Sequence, residues 1–211
     1  MAGGRSRMNR RAAVLGLLLL ASMGIGVALR AAGTLVRDPN DTAGLLDVQT
    51  VRYLREPGEL PRWRVQTFAV WTIPDLWDRG YVSVEFDTRY GPDAEYYALV
   101  RSLGTHLEGT LFKARPLKRS DLAIAKVKVR HGSPDGVSVW VPLGKMTFGD
   151  ARTTFGWWVL TTFTGDRCPA SCFDRAPDAG VLELPVPGVS PSPSPTTSTP
   201  PPTSFAPPPG D

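Results

Sequence analysis

The chain is short of the residues that most catalytic chemistry needs. It has only two histidines, His106 and His131, and only two cysteines, Cys168 and Cys172. It carries no His-Glu-x-x-His zinc motif, no Gly-x-Ser-x-Gly elbow and no Walker phosphate loop. His106 alternates with Leu107, a spacing that turns it to solvent, and His131 closes a strand-like run before Gly132. A serine hydrolase would set one of them between an activated Ser and an orienting acid, and no local context supplies that. An excess of charge is missing too. The 24 Lys+Arg face 20 Asp+Glu, but residues 1–30 hold five arginines and no acid, which leaves 19 against 20 for the rest. A nucleic-acid partner calls for a net basic surface, so that class is set aside.

Long apolar runs are absent except at the start, where Ala12 to Leu29 is uncharged behind Arg5, Arg7, Arg10 and Arg11. This pattern is an export signal. At about 1.5 Å per residue the run spans roughly 27 Å, marginal for a bilayer core of about 30 Å. Two outcomes fit: a retained single-pass anchor with a cytoplasmic N-terminus, or cleavage near Gly26-Val27-Ala28 and secretion. Either way the sequence predicts a hydrophobic helix over 1–30, a linker over 31–37 and a domain on the outer face of the cell membrane or released from it. No Cys lies near the run, which excludes a lipid-modified N-terminus. In an oxidising compartment Cys168 and Cys172 form one local disulfide. The alternatives for that pair are a redox role or a metal site shared with His106 or His131.

Residues 185–211 hold 11 of the 21 prolines, interleaved with Ser and Thr. Such a segment cannot bury enough apolar surface to offset its ordering entropy, and it reads as a disordered, stalk-like tail. Between linker and tail, 38–184 has the length of one domain. "YVSVEF" and "GVSVWVP" alternate, placing Val82, Val84 and Phe86, then Val137, Val139 and Val141, on buried faces. "DVQTVRYL", "RWRVQTFAVW", "AEYYALVRSLG", "THLEGTLFK", "LAIAKVKVR", "FGWWVLTTFTG" and "GVLELP" add further strand-length runs, with short helical turns at "IPDLWD" and "PLGKM". Eight or nine antiparallel strands predict an all-β domain, a β-sandwich or jelly roll.

Three candidate sites follow. "DPNDTAGLLDV" gathers Asp38, Asn40, Asp41 and Asp47; hard oxygens on a short loop suit calcium, with Asp87 of "FDTR" as a further ligand. Asp and Asn equally favour turns in which they bond nearby amides. Asn40-Asp41-Thr42 also matches a glycosylation triplet. Tyr81, Glu85 and Trp140 share the polar faces of their strands and could stack a sugar ring. Among the other tryptophans, Trp63 and Trp71 pattern with the core, and Trp157 and Trp158 point opposite ways. Glu85 and Asp87, two apart on one strand, have the spacing of a glycosidase pair.

The run "DPNDTAGLLDVQTV", then "FDTR", "VWVPLGKM" and the Pro/Ser/Thr tail, resembles a group of exported actinobacterial β-sandwich proteins with no assigned activity. More distantly, the acidic entry resembles DOMON-like and carbohydrate-binding modules of secreted glycan enzymes. That resemblance implies a β-sandwich and calcium on Asp38, Asn40 and Asp41. It departs from those modules where Leu45-Leu46-Asp47 follows. The expected function is a non-catalytic extracellular module that binds envelope carbohydrate. The competing expectations are a structural or protein-interaction module of the cell surface, and a glycan hydrolase using Glu85 and Asp87.

Overall fold

A computed structural model describes residues 34–189 except 92, 117, 119 and 166, together with the backbone of Leu29–Arg30. It is all-β. In chain order the strands are β1 (Leu29–Arg30), β2 (Leu35–Arg37), β3 (Val48–Leu54), β4 (Arg62–Thr67), β5 (Gly80–Asp87), β6 (Tyr96–Ser102), β7 (Leu107–Lys113), β8 (Leu122–Ser133), β9 (Gly136–Trp140), β10 (Thr154–Gly165), β11 (Cys168–Ala176) and β12 (Leu182–Pro185). The two short helical turns expected from sequence are 3₁₀ turns at Ile73–Leu76 and Leu143–Lys145. All nine strand-like runs form strands.

The expectation of two facing sheets is corrected. The strands follow one hydrogen-bonded path, β1-β12-β10-β5-β6-β7-β8-β9-β4-β3-β2, with β11 paired to β10 off it. Every pairing is antiparallel except β1 with β12. The strand count also exceeds eight or nine. The twelve-residue β8 explains both facts: its first half pairs with β7 and its second half with β9, so one strand carries the sheet around a corner. Register shifts at Leu111/Phe112 and His131/Ser133 add local twist on either side of that corner. The sheet curls until it nearly closes into a barrel, with β3 meeting β11 across the seam.

The inward residues are those that the alternation assigns. Val82, Val84 and Phe86 of β5 and Val137 and Val139 of β9 are buried, as is Val141 just beyond. Trp63, wholly buried, lies edge-on to Phe86 (5.2 Å between centroids) and Trp157 (5.9 Å), the offset geometry that aromatic quadrupoles favour. Trp71 is also buried and lies 4.2 Å from the His131 ring. Trp157 and Trp158 do face opposite ways, yet both are buried, because the Arg175 guanidinium covers Trp158 at 5.1 Å. His106 is exposed.

Two expectations at the ends of the domain change. Cys168 and Cys172 are bonded, with Cα atoms 5.5 Å apart, but on strand β11 beside the β10–β11 turn rather than on a free loop. The helix expected over 1–30 ends in strand at Leu29–Arg30, where the backbone pairs with Leu182 and Glu183; the rest of it lies outside the described residues. Most of the Pro/Ser/Thr-rich tail lies outside them as well. Among the described residues, no helix is long and apolar enough to cross a membrane.

Candidate functional site

Antiparallel register aligns the outward side chains of neighbouring strands in rows. One row runs Trp158, Glu85, Tyr97, Phe112, Ala123 across β10, β5, β6, β7 and β8. The next runs Arg175, Leu160, Ser83, Leu99, Thr110, and the one after it Phe173, Thr162, Tyr81, Arg101, Glu108. Between these rows lies an open depression of about 430 Å³, lined by Tyr81, Ser83, Glu85, Tyr97, Leu99, Leu160 and Thr162. Tyr97 stacks on Phe112 at 5.1 Å with planes 17° apart, and its hydroxyl donates to Asp121 at 2.8 Å. Ser83 donates to Glu85. Burial, reinforced by the Asp121 charge and opposed by the Ser83 hydroxyl, pushes the Glu85 carboxyl up to about 7. At neutral pH this face therefore carries a carboxyl that can both donate and accept, beside the Tyr97 ring.

Of the three residues expected to hold a sugar, Tyr81 and Glu85 line this depression and Trp140 does not. Trp140 lies on β9, with β6, β7 and β8 between it and β5. There the residue is only 7% exposed, and Lys128 at 4.7 Å and Arg62 at 5.3 Å both lie over its ring. Both cations come from its cross-strand neighbours on β4 and β8. A tryptophan so covered is held by cation–π contacts and offers no free face. Ser83 shares the Tyr81–Glu85 strand face by alternation alone, whereas Tyr97, Leu99, Leu160 and Thr162 escape a local reading because only the pairing of β5 with β6 and β10 brings them to Glu85.

The acidic loop behaves differently. Asp38 and Asp41 meet Asp174 of β11 and Asp178 just beyond it, with one oxygen from each within 4.8 Å of the others. Asp38 and Asp174 are buried, whereas Asp41 and Asp178 are exposed. Gly44 lets the loop fold back: at φ +108° it lies against Phe163 and Cys168, and an added Cβ would stand 2.7 Å from the Phe163 ring. Asp47 is buried behind the loop, and Asn40 lines a separate polar depression with Asp41, Asp47 and Arg167. Burial, then repulsion from Asp174, Asp178, Asp41 and Asp47, pushes Asp38 up to about 7. Burial and Asp174 push Asp47 up to about 6. Asp174 is raised by burial against the Val48 and Arg175 amides that lower it. Asp174 and Asp178 escape a local reading of the sequence because only closure of the barrel links them to Asp38.

Asp87 does not join the acidic loop. It sits opposite Gly156 on β10, whereas Asp174 sits opposite Thr161. Its Oδ1 accepts from the amides of Arg89 (2.9 Å), Tyr90 (2.7 Å) and Gly91 (3.3 Å), and it faces the Arg152 guanidinium at 3.6 Å. Arg152 also donates to the Asp87 carbonyl at 2.8 Å and lies 3.1 Å over the Tyr90 ring. Asp87 is thus committed to a turn, the geometry that Asp side chains favour, rather than to calcium or to a carboxylate pair with Glu85. No protein-family model, curated protein or solved structure matches the chain, so its functional reading rests on these two surfaces.

Proposed function

We propose that the chain is a non-catalytic binding module of the cell exterior that holds an envelope carbohydrate on the outer face of β10, β5 and β6. The observation that carries this reading is the Tyr81–Glu85–Tyr97 depression. Sugars present apolar C–H faces and polar edges at once. Aromatic planes take the first, and convergent hydroxyl and carboxyl groups take the second. Ser83, Thr162 and the Glu85 carboxyl provide those polar contacts beside Tyr81, which is 37% exposed. The arginine-flanked apolar run at the N-terminus supports export, as a tethered or secreted protein, and the proline-rich tail supports a stalk-like extension.

A second reading, a structural or protein-interaction module of the cell surface, is favoured by Trp77. It is 57% exposed and bridges to Ser102, next to Leu103, itself 42% exposed. The hydrolase alternative loses support because Asp87 is engaged by three amides and Arg152.

Glycan-array and calorimetric binding of the full chain separates these readings. On the first, an envelope glycan binds wild type, and Tyr81→Ala weakens it by about 1–2 kcal/mol, roughly five- to thirtyfold. A blank array, with a crosslinked protein partner lost on Trp77→Ala, transfers the assignment to the second. Turnover of a glycan abolished by Glu85→Gln would reinstate the hydrolase.

A further inference from the structure

The sheet is an open path whose ends return to each other, and the place where they meet is not finished by ordinary strand pairing. At the start of β3 the Val48 amide donates to the Asp174 carboxylate of β11 at 2.5 Å, a side chain standing in for a strand partner. Around that contact stand Asp38 and Asp41 from one side of the seam and Asp174 and Asp178 from the other. We propose that these four carboxylates form a binding site for a calcium-class divalent cation that clasps the barrel seam.

Two observations point to a ligand beyond the clustering itself. Asp38 Oδ2 has no hydrogen-bond partner, although the residue is only 7% exposed. Buried charges without partners are costly, and proteins resolve them by pairing, protonation or metal coordination. No ion pair fills that role: among the described residues, no arginine or lysine makes a salt bridge to any of the four aspartates. Arg175, next to Asp174 in sequence, projects to the other face of the sheet, where its guanidinium donates to the Pro177 and Gly180 carbonyls over Trp158.

The dimensions suit the proposal. Calcium–oxygen distances of about 2.3–2.6 Å put ligands on opposite sides of the ion about 4.6–5.2 Å apart. Four oxygens within 4.8 Å of one another fit on such a shell. An all-carboxylate site of this kind favours calcium over magnesium, which holds its waters and takes only one or two carboxylates. The exposed rim of Asp41 and Asp178 gives the ion an entry path, and buried Asp38 and Asp174 form the floor.

The test uses the full chain, stripped with chelator and titrated with CaCl2 or MgCl2 alone. The expected result is one calcium per chain with submillimolar affinity, a melting temperature raised by several degrees in millimolar calcium, and much weaker binding of magnesium. Asp41→Asn with Asp178→Asn, both exposed, should weaken calcium at least about tenfold while the metal-free melt stays near wild type. Glu59→Gln, an exposed acid in the turn before β4, should bind as wild type does. The absence of both a heat of binding and a melting shift in about 10 mM CaCl2 would overturn the proposal. So would calcium binding left unchanged in the double variant, or magnesium bound as tightly as calcium.

Discussion

Glu85 gives the sharpest test of the outer face. Its carboxyl lies well above the ordinary 4.5, at about 7, because burial beside Tyr97 and the Asp121 charge disfavour ionisation. An acid raised by folding contributes stability that is fully present below its unfolded value and lost as pH rises through its folded value. The cost therefore grows from about pH 4.5 and levels off just above pH 7. At about 1.4 kcal/mol for each tenfold change in proton affinity, it reaches about 3 kcal/mol. Glu85→Gln keeps the shape and a donor for the row but cannot ionise. In urea unfolding of the full chain, wild type and variant should run parallel below pH 4.5 and diverge by about 3 kcal/mol by pH 8. With a slope near 2 kcal/mol per molar urea, that is about 1.5 M in midpoint. Asp38 and Asp47 are also raised and pull stability the same way, but they titrate in both proteins and cancel in the difference. A constant offset between the two curves from pH 4.5 to pH 8 would refute the reasoning.

Two further outcomes follow from the packing. Trp63→Ala empties a wholly buried site among Tyr53, Phe86 and Trp157, so equilibrium unfolding should show a loss of about 3–5 kcal/mol. Asp87→Ala removes the acceptor of three amides and leaves Arg152, 6% exposed, without its counter-charge. A loss of about 3–5 kcal/mol is expected there, and a smaller one for Asp87→Asn, which keeps the accepting oxygen but not the charge. A variant as stable as wild type would show that Asp87 is not the anchor of that turn.

The nine strand-like runs were legible because period-two alternation is a local property, set by which face of each strand is buried. Three things were not local. Strand β11, read as a disulfide loop, shows five consecutive partly or fully exposed positions at Pro169–Phe173 and carries a proline, so it lacks the signature of a half-buried strand. β2, three residues long, is too short to show a period at all. The curled single sheet was hidden because alternation tells which side chains point inward and not which strand pairs with which. The same limit shaped the sites. Asp38, Asp41 and Asp47 announced themselves within one decapeptide. Asp174 and Asp178 lay in the unremarked run "FDRAPD", and no spacing connects that run to residue 38. Trp140 was misplaced for a related reason: its polar strand face was correct, but the cations that cover it come from β4 and β8.

The ladder around β10 has a kinetic consequence. Strands β5 to β9 are sequence neighbours that pair in order, a meander assembled from successive hairpins with short loop closures. β10 must instead return past that whole meander to pair with β5 from Gly156 to Phe163, and its opposite edge is shared between β12 and β11. Loop-closure entropy makes such a long-range pairing the slow one. Until it forms, β5 presents a bare edge with alternate valines, the kind of edge that invites another chain. A chain interrupted before Thr154 would keep the meander and lack the strand that shields it, so solubility during folding rests on how quickly β10 arrives.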